Sequence, residues 1–326
     1  AWGENMLPMQ GHPAFDERLL SRAAQLTPGG PDPETEDRVM LNRQRVSRIY
    51  FDGNFYDYPI SLNWPTIRNM GFITTLRAGF SYLFACVHKL PETSLENFYI
   101  NRFGKVLYGM FFESYTEKLW GRHPSVISAD WGAQRVKGLS ILALLKNILG
   151  RMLPASKRTV ETSLIEEFAY PKFGPGQLWE TVCDEVRARG GEALFGKKVT
   201  SFSCDQNKIQ AVNCGDESFS CDLVLSSMPL CSLVNGLPDA PETIRQIASG
   251  LPYRDFVTVG LLVDRLKIIN TTGKKTLGNI VPDCWIYVQD RSVKLGRVQI
   301  FNNWSTYMVN DPLNTVWIGL EYFCAA

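Results

Sequence analysis

A long helical stretch, Pro65 to Met152, set between two regions of strand character constrains this chain more than any other feature. Ahead of it, Val46–Phe51 (VSRIYF) reads as a strand, Asp52-Gly53-Asn54 as a tight turn and Phe55–Tyr58 as the returning strand. Within it, Ser94 suits an N-cap, and Gly71, Gly104 and Gly121 divide the helical segments. After it, Gly174-Pro175-Gly176 leads into a helix over Gln177–Arg189 closed by Gly190-Gly191, then short strands over Lys198–Cys204 and Lys208–Cys214. Leu223–Ser226 opens LVLSSMP, an apolar run turning to small polar residues, as in a buried parallel strand whose carboxyl end faces a ligand crevice. Past Pro241 come a short helix and strands at Phe256–Val263, Trp285–Val288, Val298–Trp304 and Val316–Phe323. Strands before and after a helical insertion predict a mixed α/β (α+β) chain with a lid or substrate subdomain in the insertion. Residues Ala1–Asn42 look poorly organised, and the Pro- and Gly-rich acidic stretch Thr27–Asp37 reads as loop or disorder.

Composition removes several function classes. The net charge of +1 makes no case, by its total balance, for nucleic acid or an anionic membrane as a partner. Eight cysteines form no CxxC pair, so reduced thiols in the cytoplasm are the simplest account. The three histidines stand far apart, with no zinc-ligand spacing, and neither a nucleophile elbow nor a Walker loop is present. The amino end lacks the basic and apolar segments of a secretory signal. The most apolar helix candidate, Leu139–Leu153, carries Lys146 and Arg151 and falls short of the ~20 residues needed to span a bilayer. Core packing and peripheral membrane contact are both open to it.

The run FFESYTEKLWG, Phe111–Gly121, carries the richest chemistry. As one helix it sets Phe111, Phe112, Tyr115, Leu119 and Trp120 largely on one side, with Glu113, Glu117 and Lys118 able to face water. Tyr and Trp add polar handles to a flat apolar surface, which suits a pocket wall as well as an ordinary amphipathic helix.

Together these segments resemble the flavoprotein superfamily of amine oxidases, protoporphyrinogen oxidases, phytoene desaturases and UDP-galactopyranose mutases, over roughly Arg45–Cys324. Tyr115–Gly121 is similar to the mutase motif whose Tyr and Trp line the sugar-nucleotide pocket, and Asp52–Leu62 to the mutase hairpin. Tyr170–Glu180 resembles the Pro/Gly-rich helix start of amine oxidases, and Lys198–Pro229 the second flavin-contacting element. The fold implied is a partial Rossmann-like FAD-binding domain with an inserted helical subdomain and a β-rich substrate domain. The boundaries implied are an atypical segment 1–42, a hairpin 43–64, helical insertion 65–165, FAD-domain remainder 166–240 and substrate sheet 241–326.

By position, the resemblance puts Val199 against the adenine of FAD and passes Ser226, Ser227, Met228 and Pro229 beside its diphosphate. Gly174 and Gly176 would allow close backbone approach or simply form a rigid loop. Tyr58, Tyr115 and Trp120 would wall the substrate, and Arg135 would clamp a diphosphate or stay a surface charge. Two departures stand out. Ser61 replaces the mutases' Asn, and the GxGxxG loop that cradles dinucleotide phosphate occurs nowhere in the chain. The resemblance therefore implies a family member cut at both ends, or one with a replaced amino terminus. Its implied function is hydride transfer from an organic small molecule to FAD. Alternatives are a mutase acting on a nucleotide sugar through reduced FAD, and a non-catalytic remnant.

Overall fold

The computed structural model describes residues 3–5, 30–58, 60, 63–135, 167–206 and 208–324. The chain forms two compact units, one of Ala1–Trp179 with Arg254–Ala326 and one of Glu180–Tyr253.

The first unit is organised by a six-stranded sheet. Its hairpin is β3 (Ser47–Phe51) and β4 (Asn54–Asp57), joined by Asp52 at φ 48° and Gly53 at φ 74°, the left-handed pair that a two-residue hairpin turn requires. The remaining strands are β9 (Asp255–Val263), β10 (Trp285–Val288), β11 (Leu295–Ile300) and β12 (Val316–Cys324). Their spatial order is β4-β3-β10-β11-β12-β9, with β3 and β10 parallel and every other pair antiparallel. In β10, Ile286 and Val288 are buried, and Ile286 packs into a cluster with Val281, Ile300 and Val316. Period-two alternation then sends Trp285 and Tyr287 to the opposite face.

A smaller sheet corrects the reading of Ala1–Asn42. Strand β1 (Gly3–Asn5) runs parallel to β2 (Val39–Gln44), and β5 (Glu167–Pro171) pairs antiparallel to β2. Val39 and Leu41 are fully buried, which gives this segment the apolar anchor its flanking loop lacks. Gly30–Arg38 is turn and loop, as expected.

The helical insertion begins with α1 (Trp64–Met70) and α2 (Phe72–Val87), which meet at Gly71 with a bend of 104°. It continues with α3 (Leu95–Phe111), α4 (Glu113–Trp120) and α5 (Ala129–Arg135). Ser94 caps α3 by accepting the Asn97 N–H at 3.3 Å, as predicted. Gly104, inside α3, takes φ 76° and ψ 158° and kinks the helix against α2. A Cβ there would lie 2.7 Å from the Tyr82 amide nitrogen, so close helix approach and positive φ both demand glycine. Leu139–Leu153 lies outside the described residues.

Helix α6 (Pro175–Ala188) follows β5. In the second unit, β6 (Ser201–Asp205), β7 (Lys208–Cys214) and β8 (Glu217–Ser220) form an antiparallel meander, followed by α7 (Leu230–Gly236) and α8 (Glu242–Ser249). The strand expected at Lys198 starts at Ser201. The one expected at Leu223–Ser226 does not form. Leu225 is 91% exposed, and among the described residues no strand bonds to the segment. An apolar run becomes a strand only where a partner satisfies its backbone.

Candidate functional site

The expected single helix at FFESYTEKLWG is broken at Phe112, whose φ of −123° ends α3 and starts α4. Phe111 thereby turns into the core against Tyr56 (ring centroids 5.0 Å apart), while Phe112 stacks on Tyr99 and Phe103. Gly121 closes α4 in the left-handed conformation. Glu117 is exposed, as expected. Lys118 is not a solvated charge. Its ammonium donates to the carbonyls of Val288 (3.0 Å), Asp290 (2.9 Å) and Leu295 (3.0 Å), clamping α4 to the β10–β11 hairpin.

This clamp sets Tyr115 edge-on to Tyr287, with centroids 5.4 Å apart and planes at 87°. Tyr58, just past β4, approaches the same Tyr287 ring at 4.8 Å. Three tyrosines from a helix, a hairpin and a central strand thus form one wall. Behind them a row crosses the sheet, since Tyr287 pairs with Arg297 on β11 and Arg297 with Glu321 on β12. Glu321 is buried, and both its oxygens are engaged, one by Arg297 Nε and one by Gln299 Nε2. A buried carboxylate is tolerable only with such partners.

The electrostatics follow from this packing. Burial raises the Tyr115 phenol well above its ordinary value, with Tyr287 next in effect, Arg297 opposing and Glu321 adding. Burial likewise raises Tyr58, which also hydrogen-bonds Tyr287 and feels Arg45 in opposition. Burial lowers Arg297, but the hydrogen bond and charge of Glu321 outweigh it and leave the guanidinium above its ordinary value. All three groups therefore keep their neutral-pH forms. They present hydroxyl donors and one fixed cation, and none is poised as a general base at neutral pH.

The wall continues through residues that the sequence reading passed over. Arg45 lies 5.8 Å from the Tyr58 ring centroid and 6.0 Å from that of Trp285. Trp285 stacks on Trp304 at 5.2 Å, and Tyr170 and Phe168 flank Trp304. The Trp304 indole N–H donates to the Cys284 carbonyl at 3.0 Å, whereas that of Trp285 is buried with no acceptor among the described residues. The Trp285 ring lies beside the Trp304 face and the Arg45 guanidinium. The alternation Trp-Ile-Tyr-Val in β10 was the available signal, because a strand with Trp and Tyr on one face rarely wastes both on solvent.

Other predicted site residues fall elsewhere. Trp120 lies five positions after Tyr115, roughly 140° round the helix, and meets Trp131 of α5 edge-on at 5.2 Å. It is not part of the tyrosine wall. Arg135 ends α5, and its side chain lies outside the described residues. Gly174, at φ 91°, comes close to Met308 and Tyr170, since a Cβ there would lie 3.3 Å from Met308 Cε. Gly176 has open space around it. In the second unit Val199 is half-buried, and Ser226–Pro229 is irregular with a bend at Met228.

FAD would need a cradle of backbone N–H groups for its diphosphate. Ser226–Pro229 supplies little of one. Pro229 has no N–H, and that of Met228 donates to Ser226 Oγ at 3.3 Å. Among the described residues, Ser226–Pro229 therefore does not fit the diphosphate of FAD. Glu96, Glu113 and His123 bring potential metal-ligand atoms within 4.8 Å of one another. However, His123 Nδ1 accepts the Ser125 N–H, which leaves the proton on Nε2 facing Glu113 Oε1 at 3.4 Å, while Arg291 holds Glu113 Oε2 at 3.1 Å. Glu113 is thus already held by a hydrogen bond from His123 and an ion pair with Arg291.

The sequence profile of flavin-containing amine oxidoreductases matches residues 16–318. The chain belongs to that family. No curated protein matches it by sequence. Among solved structures, reduced UDP-galactopyranose mutase is similar at a TM-score of 0.70 and 18% identity, over 87% of this chain and 58% of the mutase chain. An oxidoreductase from Methanosarcina mazei is similar at a TM-score of 0.53 and 11% identity, over 87% of this chain and 60% of its own. The chain thus spans less than two thirds of these relatives, and the likeness establishes the mixed α/β fold they share.

Proposed function

We propose that this chain carries the substrate wall of an FAD-dependent oxidoreductase of the amine oxidase type, acting on an organic small molecule in the cytoplasm. The observation that carries the reading is the face of β10 and its neighbours. There Tyr58, Tyr115 and Tyr287, the cations Arg45 and Arg297, and the ring of Trp285, whose N–H has no partner among the described residues, gather on one face. Such a surface can stack a planar group, donate hydrogen bonds to it and exclude water. The residue chemistry of the wall binds and orients, and the redox step is left to a cofactor.

A second reading, nucleotide-sugar isomerisation of the mutase kind, is supported by the 0.70 TM-score to the mutase and by two arginines beside three phenols, which suit a diphosphate. The test is reconstitution with FAD. A flavin absorption band retained through gel filtration, with oxidation of an amine panel, supports the first reading. Conversion of UDP-galactopyranose under dithionite supports the second. Tyr287→Phe and Trp285→Phe should each weaken substrate binding about fivefold, the worth of one hydrogen bond. Unchanged binding in both would remove the wall from the site. A protein that retains no flavin would leave a non-catalytic role.

A further inference from the structure

Helix α2 is built largely inside out. Met70 of α1 enters the core and Tyr82 packs against α3, but the rest of the inward side of α2 is small or polar. Ala78 and Ala85 are buried, Ser81 Oγ accepts the Val106 N–H at 3.2 Å, and Gly104 lets the α3 backbone close on Ser81 and Tyr82. Its outward side carries Phe72, Ile73, Phe80, Leu83, Phe84 and Val87, each 60–79% exposed, with Leu76 and Trp64 alongside. Positions 72, 76, 80, 83, 84 and 87 recur at helical spacing, so these side chains form one stripe. A helix against water places its large apolar residues inward. Small residues at the packed face and large apolar ones outside is the arrangement of a helix whose outer medium is itself apolar.

Charge identifies that medium. From Tyr58 to Pro91 the chain has no Asp or Glu. Arg68 and Arg77 are exposed and make no ion pair among the described residues, and Lys89 is exposed at the far end while donating to the Asn101 carbonyl. Trp64 sits at the opposite end, the amphipathic residue favoured at a bilayer interface. Sixteen residues of α2 extend only about 24 Å, short of the ~30 Å hydrocarbon core, and the 104° bend stops α1 from lengthening it. Lying in one leaflet suits this pair better than crossing.

We propose that α1 and α2 form a monotopic membrane-docking surface. The apolar stripe would enter the acyl boundary of an anionic bilayer, and Arg68, Arg77 and Lys89 would meet lipid phosphates. The inference does not draw on the flavin reading. The test is co-sedimentation of the whole chain with vesicles of phosphatidylcholine alone and of phosphatidylcholine mixed with phosphatidylglycerol. The protein should partition to the mixed vesicles, bind the neutral ones less, and be released by salt. Phe80→Glu with Leu83→Glu should lower partitioning on the order of 100-fold, and Arg77→Gln about fivefold. Both sites are exposed, so unchanged circular dichroism should accompany the loss. Should the double variant misfold, the salt dependence and Arg77→Gln decide the matter. No partitioning, equal binding to the two vesicle types, or binding indifferent to the variants overturns the proposal. So does a dimer by light scattering that the double variant abolishes without any vesicle binding, which would assign the stripe to a second copy of the chain.

Discussion

Gly104→Ala should be among the most costly single-methyl additions in this protein. Two terms contribute. Holding an L-residue at φ 76°, ψ 158° costs on the order of 1–3 kcal/mol. The new Cβ would also lie 2.7 Å from the Tyr82 nitrogen, 2.8 Å from the Ser81 carbonyl carbon and 2.9 Å from its oxygen. These are backbone atoms of a neighbouring helix and cannot swing aside as a side-chain tip would, so overpacking adds roughly 1–3 kcal/mol. About 4 kcal/mol in total is a large part of the 5–15 kcal/mol that ordinarily separates folded from unfolded chains. With a urea slope of about 3 kcal/mol/M, the midpoint should fall by about 1.3 M. Gly109→Ala in the same helix is the control. Its nearest non-local atom is Glu113 Oε2 at 3.8 Å, so there the substitution should stabilise by roughly 0.5–1 kcal/mol through helix propensity. Tryptophan fluorescence in urea reads both. A loss below about 1 kcal/mol for Gly104→Ala, or equal effects at the two glycines, would refute the reasoning.

Further outcomes can be measured on the same material. Burial pushes Tyr99 and Tyr170 from 10.0 up to about 12, so the folded state favours the neutral phenol; stability should be intact below pH 10 and fall as pH rises from 10 towards 12, seen as a declining Tm. Burial likewise pushes the Cys284 thiol up to about 11, so a thiol reagent at pH 8 should label exposed Cys86 promptly and Cys284 only after unfolding, read by peptide mass. Asp283 is buried and pairs with Arg48 at 2.6 Å, so Asp283→Ala should cost about 3–5 kcal/mol in chemical denaturation.

Local signals carried much of the fold. The Asp52-Gly53 turn, the Ser94 cap, the Gly121 stop and the strand Trp285–Val288 are each set by neighbours within a few residues, and each forms where the sequence puts it. What depends on distant partners was not legible. Leu223–Ser226 has the composition of a buried strand but no strand beside it, and Val39–Gln44 forms a strand because Glu167–Pro171 pairs with it across the intervening chain. The site divides in the same way. Tyr58 and Tyr115 could be picked out as aromatic residues in promising contexts, but Tyr287, which joins them, enters through the β3–β10 pairing of residues far apart in sequence. Trp120 shares the motif of Tyr115 and not its direction, because helical phase separates them.

Lys118 has a consequence for how α4 can move. Its ammonium fills a ring of three carbonyls much as a bound potassium ion would, so the β10–β11 hairpin acts as a socket and α4 as the key turned in it. One residue of roll, about 100°, would withdraw the key from all three oxygens at once. Tyr115 stands three residues earlier on the neighbouring ridge of the same helix, so its angle to Tyr287 is fixed from the sheet rather than by the ring itself. The two rings therefore keep their edge-to-face contact unless α4 leaves the hairpin altogether, so helix, hairpin and ring pair move as one rigid piece.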